Sequence, residues 1–291
     1  MRFNSPYFYL AFFLILNIFN FVDRNLLIAF APQIKSEFNL TNVQWGLLTG
    51  VYFLFFYSVF GIFMGVLGDK FSRMKIAAAG VFLWSLMTAV TGIAKNFSHL
   101  IFARALIGVG ESALTPNAIS MLSDLFKQNQ RGTASAIYYL GIPLGVGFGM
   151  LIAAFFGPIF GWRAVFIFLG LIGMGLGILT YFLFEPIRGQ LDINFDKTSK
   201  PNSIKDILSM TKSALYNSKC LTFVIIGSIF LHIPLGAGNF EVLWAVNERG
   251  FTASSYNSLF GFLFIIGGTV GALAGGILSD RLSHYFKGGV M

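Results

Sequence analysis

Long apolar stretches separated by short polar turns run through this chain from Tyr7 to beyond Gly275. A helix crossing a bilayer needs ~20 mainly apolar residues. Runs of that kind fall near residues 7–30, 44–67, 75–95, 98–121, 132–156, 162–184, 219–246 and 255–278. The pattern therefore predicts an all-α membrane protein with eight transmembrane helices. The first run is too long for a signal-peptide core and carries Asp23-Arg24 instead of a small-residue cleavage site, so it reads as a retained helix. The longest polar stretch divides the chain into a six-helix bundle at 1–184, a cytoplasmic linker at 185–218 and the start of a second bundle at 219–291. Inside the linker, Ser203-Ile-Lys-Asp206 resembles a capping box, and Ile204, Ile207, Leu208, Ala214 and Leu215 recur at helical spacing. That spacing predicts a short amphipathic helix lying in the membrane interface.

Composition removes the soluble alternatives, since 56% of residues are hydrophobic and only 11% are charged. The net charge of +8 is a topology signal. With the N-terminus inside, Lys70, Arg73, Lys75, Lys127, Arg131, Arg188 and most other basic residues fall on the cytoplasmic side, against Lys35, Lys95, Arg163 and Arg249 outside. No nucleic-acid surface is needed to explain the charge. The lone Cys220 forms no intrachain disulfide, and there are three His, no metal-spaced His/Cys cluster and no Gly-Lys-Ser/Thr loop. No enzyme activity, cofactor or metal is expected. The glycine-rich stretch Gly141-Ile-Pro-Leu-Gly145-Val-Gly147-Phe-Gly149 lies within an apolar span, where it serves either close helix packing or a hinge.

Charges inside spans are the candidate chemistry, because each costs at least ~2.5 kcal/mol at the bilayer centre. They are Asp23, Arg24, Arg104 and Glu111, with Glu241 and His232 as weaker members. At ~1.5 Å rise per residue, Asp23 and Arg104 reach nearly the same depth, which predicts an Asp23 to Arg104 ion pair. Glu111 lies two turns further along the Arg104 face. The ladder can couple protons to movement, or it can be a permanently satisfied cluster that fixes helix register. Arg24 belongs to the ladder or faces the external vestibule. Glu241, near the outer end of its segment, reads as solvated, and His232 as a hydrogen-bonded core residue. Tyr52 and Tyr139 are the candidate aromatic residues of a cavity.

Gly65-Val-Leu-Gly-Asp69-Lys-Phe-Ser72 returns as Gly276-Ile-Leu-Ser-Asp280-Arg281-Leu-Ser283, and Gly50 falls on Gly261 at the same offset. Such duplication is typical of transporters built from repeated six-helix halves. The turn from Gly65 through Asp69 and Arg73 to Lys75 resembles the signature of the major facilitator superfamily. Within that superfamily the chain is most similar to the Spinster branch. The likeness rests on Asn20-Phe-Val-Asp-Arg24, Arg104-Ala-Leu-Ile-Gly-Val-Gly-Glu111, Ser123-Asp-Leu-Phe126 with Arg131-Gly132, Ile142-Pro-Leu-Gly145 and Gly161-Trp-Arg163. Lys70 and Ser72 depart from the usual turn.

The resemblance implies a multi-pass inner (plasma) membrane protein representing the N-terminal two-thirds of twelve helices. It also implies proton-linked alternating access, with membrane lipids around the protein and a lysolipid-like or other amphiphilic organic anion as cargo. Asp23, Arg24, Arg104 and Glu111 match its coupling or substrate positions. Gly65, Asp69, Arg73, Asp280 and Arg281 match its gating turns, with Asp124 as the candidate partner of Arg73. A sugar-acid type proton symporter is the nearest rival, and a non-transporting membrane sensor or assembly factor is the alternative from another class.

Overall fold

A computed structural model of the chain describes residues 5–189 and 216–283, with residues 191, 209 and 213. Every regular element among them is helical. In order these are α1 (Pro6–Ala29), α2 (Ala31–Glu37), α3 (Asn42–Gly46), a π turn (Leu47–Val51), α4 (Tyr52–Lys70), α5 (Arg73–Gly92), α6 (Phe97–Glu111), α7 (Leu114–Leu125), a 3-10 turn (Gln128–Gln130), α8 (Arg131–Tyr139) and α9 (Gly141–Phe182). After residue 216 come α10 (Lys219–Leu235), a 3-10 turn (Gly236–Phe240), α11 (Glu241–Arg249) and α12 (Ala253–Ser283). Six helical stretches among the described residues are long and apolar enough to cross a membrane.

Two of the expected spans differ in outline. The fifth and sixth run together through α9, where Gly161 alone turns the chain, at φ 75° and ψ 159°. Glycine populates positive φ without a Cβ clash, so one residue does the work of a loop. The seventh is not continuous, because α10 passes into the 3-10 turn at Gly236-Ala-Gly238, and glycine weakens the α-helical alternative there. The interfacial helix expected around 203–215 lies outside the described residues, apart from residues 209 and 213.

Helix packing settles the role of the glycine stripe. A Cβ at Gly145 would sit 2.5 Å from the Ile18 carbonyl oxygen and 2.5 Å from Phe21 Cβ, so α9 and α1 touch backbone to backbone. One residue pair along, Gly147 turns the other way and faces the Gly261 carbonyl of α12, where a Cβ would stand at 2.6 Å. Neither helix gains a hydrophobic driving force from association in lipid, so close van der Waals approach supplies it.

The apolar core is split into two parts. One gathers Phe13, Leu16, Trp84, Met121 and Tyr138. The other gathers Phe30, Ile34, Trp45, Trp162 and Phe166. On α1 the residues between these two clusters are Asn17, Asn20 and Asp23, all buried. A polar layer thus separates two apolar ones within the bundle.

The second half meets the first where α1 ends. Asn257 Nδ2 donates to the Ala29 carbonyl at 3.0 Å, Trp45 Nε1 to the Asn239 carbonyl at 2.9 Å, and Ser254 Oγ to the Ala154 carbonyl at 2.8 Å.

Candidate functional site

Asp23 and Arg24 are neighbours on α1, and successive residues of an α-helix point about 100° apart. They therefore meet different helices. Arg24 Nε is ion-paired and hydrogen-bonded to Glu111 Oε2, whose side chain is fully buried. The Arg24 guanidinium also lies over three rings, Tyr57 at 4.5 Å, Phe53 at 4.9 Å and Phe21 at 5.0 Å. The opposite side of this arrangement is Arg104, whose guanidinium stands 4.3 Å from the Phe53 ring centre. Phe53 thus serves two cations, and cation–π attraction strengthens where water is excluded.

Asp23 turns toward α5, where its Oδ2 meets the Thr88 hydroxyl. The expected Asp23 to Arg104 ion pair is not formed. Depth along the membrane sets height but not azimuth, and azimuth directs Asp23 to α5. The Arg24 side chain closes the vertical gap to Glu111 because Cα–Cβ bonds tilt toward a helix N-terminus, which here points it back along α1. Arg24 is accordingly part of the cluster rather than a vestibule residue. Among the described residues several polar atoms in this layer have no hydrogen-bond partner, among them Asp23 Oδ1, Arg104 Nε, Trp84 Nε1 and Ser85 Oγ.

The turn after α4 forms a second constellation at one end of the bundle. Arg73 is buried and makes four hydrogen bonds. Its Nη1 donates to Asp124 Oδ2 at 2.5 Å and to Ser120 Oγ at 2.9 Å, its Nε to Glu185 Oε1 at 3.0 Å, and its Nη2 to the Pro186 carbonyl at 3.0 Å. Gly189 N donates to Asp124 Oδ1 at 2.9 Å. Arg188 caps the end of α4, donating to the Gly68 carbonyl at 2.7 Å and to those of Asp69 and Phe71. A cation there complements the negative end of the helix dipole. Residues 185–189 are thus a strap stitched into the turn, whereas the sequence pattern assigns them to the start of a free linker. Its readable signal was the alternation of Glu185 and Arg188 directly after an apolar span. Partial burial works to raise the Glu185 carboxyl, but the Ser72 hydroxyl and Arg73 guanidinium outweigh it and hold the group below its ordinary value.

Asp69 itself is exposed, and Gly65 has open space around it. The side chains of Asp280, Arg281 and His232 lie outside the described residues. Tyr52 is half-buried and Tyr139 is 45% exposed, and the tyrosine ring that lies against Arg24 is Tyr57, at 4.5 Å. The ring that does enter the bundle from α8 is Tyr138, with its hydroxyl 3.0 Å from Thr115 Oγ1. Glu241 is not simply solvated, since the Tyr256 hydroxyl donates to it.

At the far end from the strap, Glu37 accepts from Trp162 Nε1 at 2.8 Å and from Arg163 Nη2 at 2.6 Å, while Arg163 Nη1 reaches the Gly92 and Ala94 carbonyls at 3.0 and 2.7 Å. Hydrogen bonding from Arg163 holds the Glu37 carboxyl below its ordinary value. Among the described residues no three of His, Cys, Asp and Glu are grouped to hold a metal ion.

Comparison with known proteins adds family context to this geometry. Residues 13–291 match the Major Facilitator Superfamily. The chain is 28% identical over 291 residues to protein spinster of Drosophila melanogaster, covering 96% of this chain and 46% of that protein. It is 32% identical over 180 residues to the sphingosine-1-phosphate transporter SPNS2 of Danio rerio, covering 60% and 36% respectively. The chain spans about half the length of the curated relatives it matches. A solved bacterial homologue of the human lysosomal transporter Spinster, inward-facing and unoccupied, superposes with a TM-score of 0.81 at 24% identity, over 97% of this chain and 64% of that one. With its helical bundle, repeated turn and matched length, the chain belongs to the Major Facilitator Superfamily and is Spinster-like within it.

Proposed function

We propose that this chain forms part of a proton-coupled secondary transporter that moves an amphiphilic, lysolipid-like organic anion by alternating access. The observation that carries the reading is the cluster of buried Asp23, Arg104 and Glu111 with the partly buried Arg24 between two apolar cores. Two carboxylates and two guanidiniums in a largely buried layer would be a costly way to hold α1 against α6, because apolar packing does that without desolvation. Protonating Glu111 removes the charge that holds Arg24, and protonating Asp23 changes the field at Arg104. Either event frees a cation for an anionic headgroup. The sphingolipid-related name carried by one relative supports a cargo with a charged head and an apolar tail.

Eight membrane helices follow if the two arms of α9 on either side of Gly161 count separately and α10 spans despite its shorter length. The N-terminus is assigned to the cytoplasm by the distribution of Lys and Arg. The Arg73 to Asp124 pair and the strap then lie on the cytoplasmic side, where the exposed Asp69 is the gating carboxylate. Asp280 and Arg281 are its counterparts in the second half.

Transport into proteoliposomes under an imposed pH gradient tests the reading, with lysophosphatidic acid and sphingosine phosphate as probes. Asp23→Asn, Arg104→Ala and Glu111→Gln should each abolish gradient-driven accumulation. Glu111→Gln should still catalyse exchange, which would separate coupling from folding. Wild-type accumulation in all three variants would overturn the proposal.

A further inference from the structure

We propose that Thr88 is a positioning residue that holds the Asp23 carboxyl in both of its protonation states by redirecting its single hydroxyl hydrogen. The inference rests on the reading of Asp23 as a group that gains and loses a proton. Thr88 Oγ1 makes two close contacts, one to the Trp84 carbonyl oxygen at 2.9 Å and one to Asp23 Oδ2. A hydroxyl has one hydrogen to donate. Two flanking oxygens that can both only accept cannot both be served. The pair of contacts is satisfied when Asp23 carries a proton, because the acid O–H then donates to Thr88 Oγ1 and Thr88 donates to the Trp84 carbonyl.

Asp23 Oδ1 supports the same state. It is buried and has no hydrogen-bond partner among the described residues, an arrangement far less costly for a neutral carbonyl oxygen than for half of a carboxylate. The charges facing Asp23 are Arg104 and Glu111 from α6 and Arg24 on α1 itself, and none of them hydrogen-bonds to it. Among the described residues Thr88 is the one hydrogen-bonding partner of the Asp23 side chain.

On release, the acid O–H bond breaks, the electron pair stays on Oδ2 and the proton passes to water as hydronium. The Thr88 O–H then rotates from the Trp84 carbonyl to Oδ2. The carbonyl keeps its place in the α5 helical ladder, so no acceptor is stranded. Threonine suits this role better than serine, because β-branching restricts χ1 and keeps the oxygen between its two partners.

Infrared difference spectroscopy across a pH jump, on the full chain in lipid nanodiscs, reads the bond directly. The carboxylic C=O band assigned to Asp23 by its loss in Asp23→Asn should move to higher wavenumber in Thr88→Val, where the partner is removed. It should return close to the wild-type position in Thr88→Ser. Thr88→Cys, with a weaker donor and acceptor, should shift it partway and serves if the valine variant fails to fold. An unmoved band in both the valine and cysteine variants would overturn the role of Thr88. Absence of any Asp23 band in the wild type would instead overturn the proton-loading reading on which it rests.

Discussion

Replacing Gly145 by alanine adds one methyl group where α9 touches α1. The new Cβ would stand 2.5 Å from the Ile18 carbonyl, 2.5 Å from Phe21 Cβ and 3.1 Å from Val22 N. All three obstacles are backbone or the first side-chain atom, so no rotamer change relieves them. Restoring ordinary contact near 3.5 Å requires the helices to separate by about 1 Å, which loosens the flanking contacts as well. Overpacking of this kind costs up to ~3 kcal/mol, and the better helix propensity of alanine returns ~1 kcal/mol. A net loss of about 2 kcal/mol is expected. Gly175→Ala is the matched control, with the same chemistry in the same helix but nothing within 4 Å. Thermal unfolding in nanodiscs, followed by fluorescence of the buried Trp45, Trp84 and Trp162, should give a lower Tm for Gly145→Ala and an unchanged or higher Tm for Gly175→Ala. Equal Tm values for the two variants would refute the backbone-contact account.

Two further outcomes follow from the ion pairs at the two ends of the bundle. Arg73→Ala leaves Asp124 and Glu185 without their shared buried cation and should cost ~3–5 kcal/mol, the usual penalty for breaking a buried pair from one side; Arg188→Ala loses a helix cap and a partly exposed ion pair to Glu185 at 3.6 Å and should cost only ~1 kcal/mol, both measured by detergent-induced unfolding. Glu185 and Glu37 have folded values below the ordinary 4.5, so the stability each contributes is complete above that value and is lost as pH falls through the folded one. Unfolding measured from neutral pH to below pH ~4 should show an acid limb that is shallower in Glu185→Gln and in Glu37→Gln.

The four charges of the cluster were legible because a charge in an apolar span stands out against its neighbours, whatever the fold. Their partners were not. Asp23, expected beside Arg104, meets Thr88, and Glu111 holds Arg24. Thr88 and Tyr57 carry no sequence signal of their own, since a threonine or tyrosine in an apolar helix is ordinary. Tyr139 and Tyr138 are adjacent, and only the rotation of α8 decided which one enters the bundle.

The helical class, the apolar runs, the duplicated turn and the charges within those runs were determined by the sequence, because bilayer thickness sets run length and desolvation makes each charge in an apolar run conspicuous. Which carboxylate pairs with which cation, which helix each glycine meets and where residues 185–189 dock were decided only by the tertiary structure. These depend on the rotation of each helix about its own axis. At about 100° per residue, a one-residue difference redirects a side chain to another neighbour while leaving hydropathy and depth unchanged.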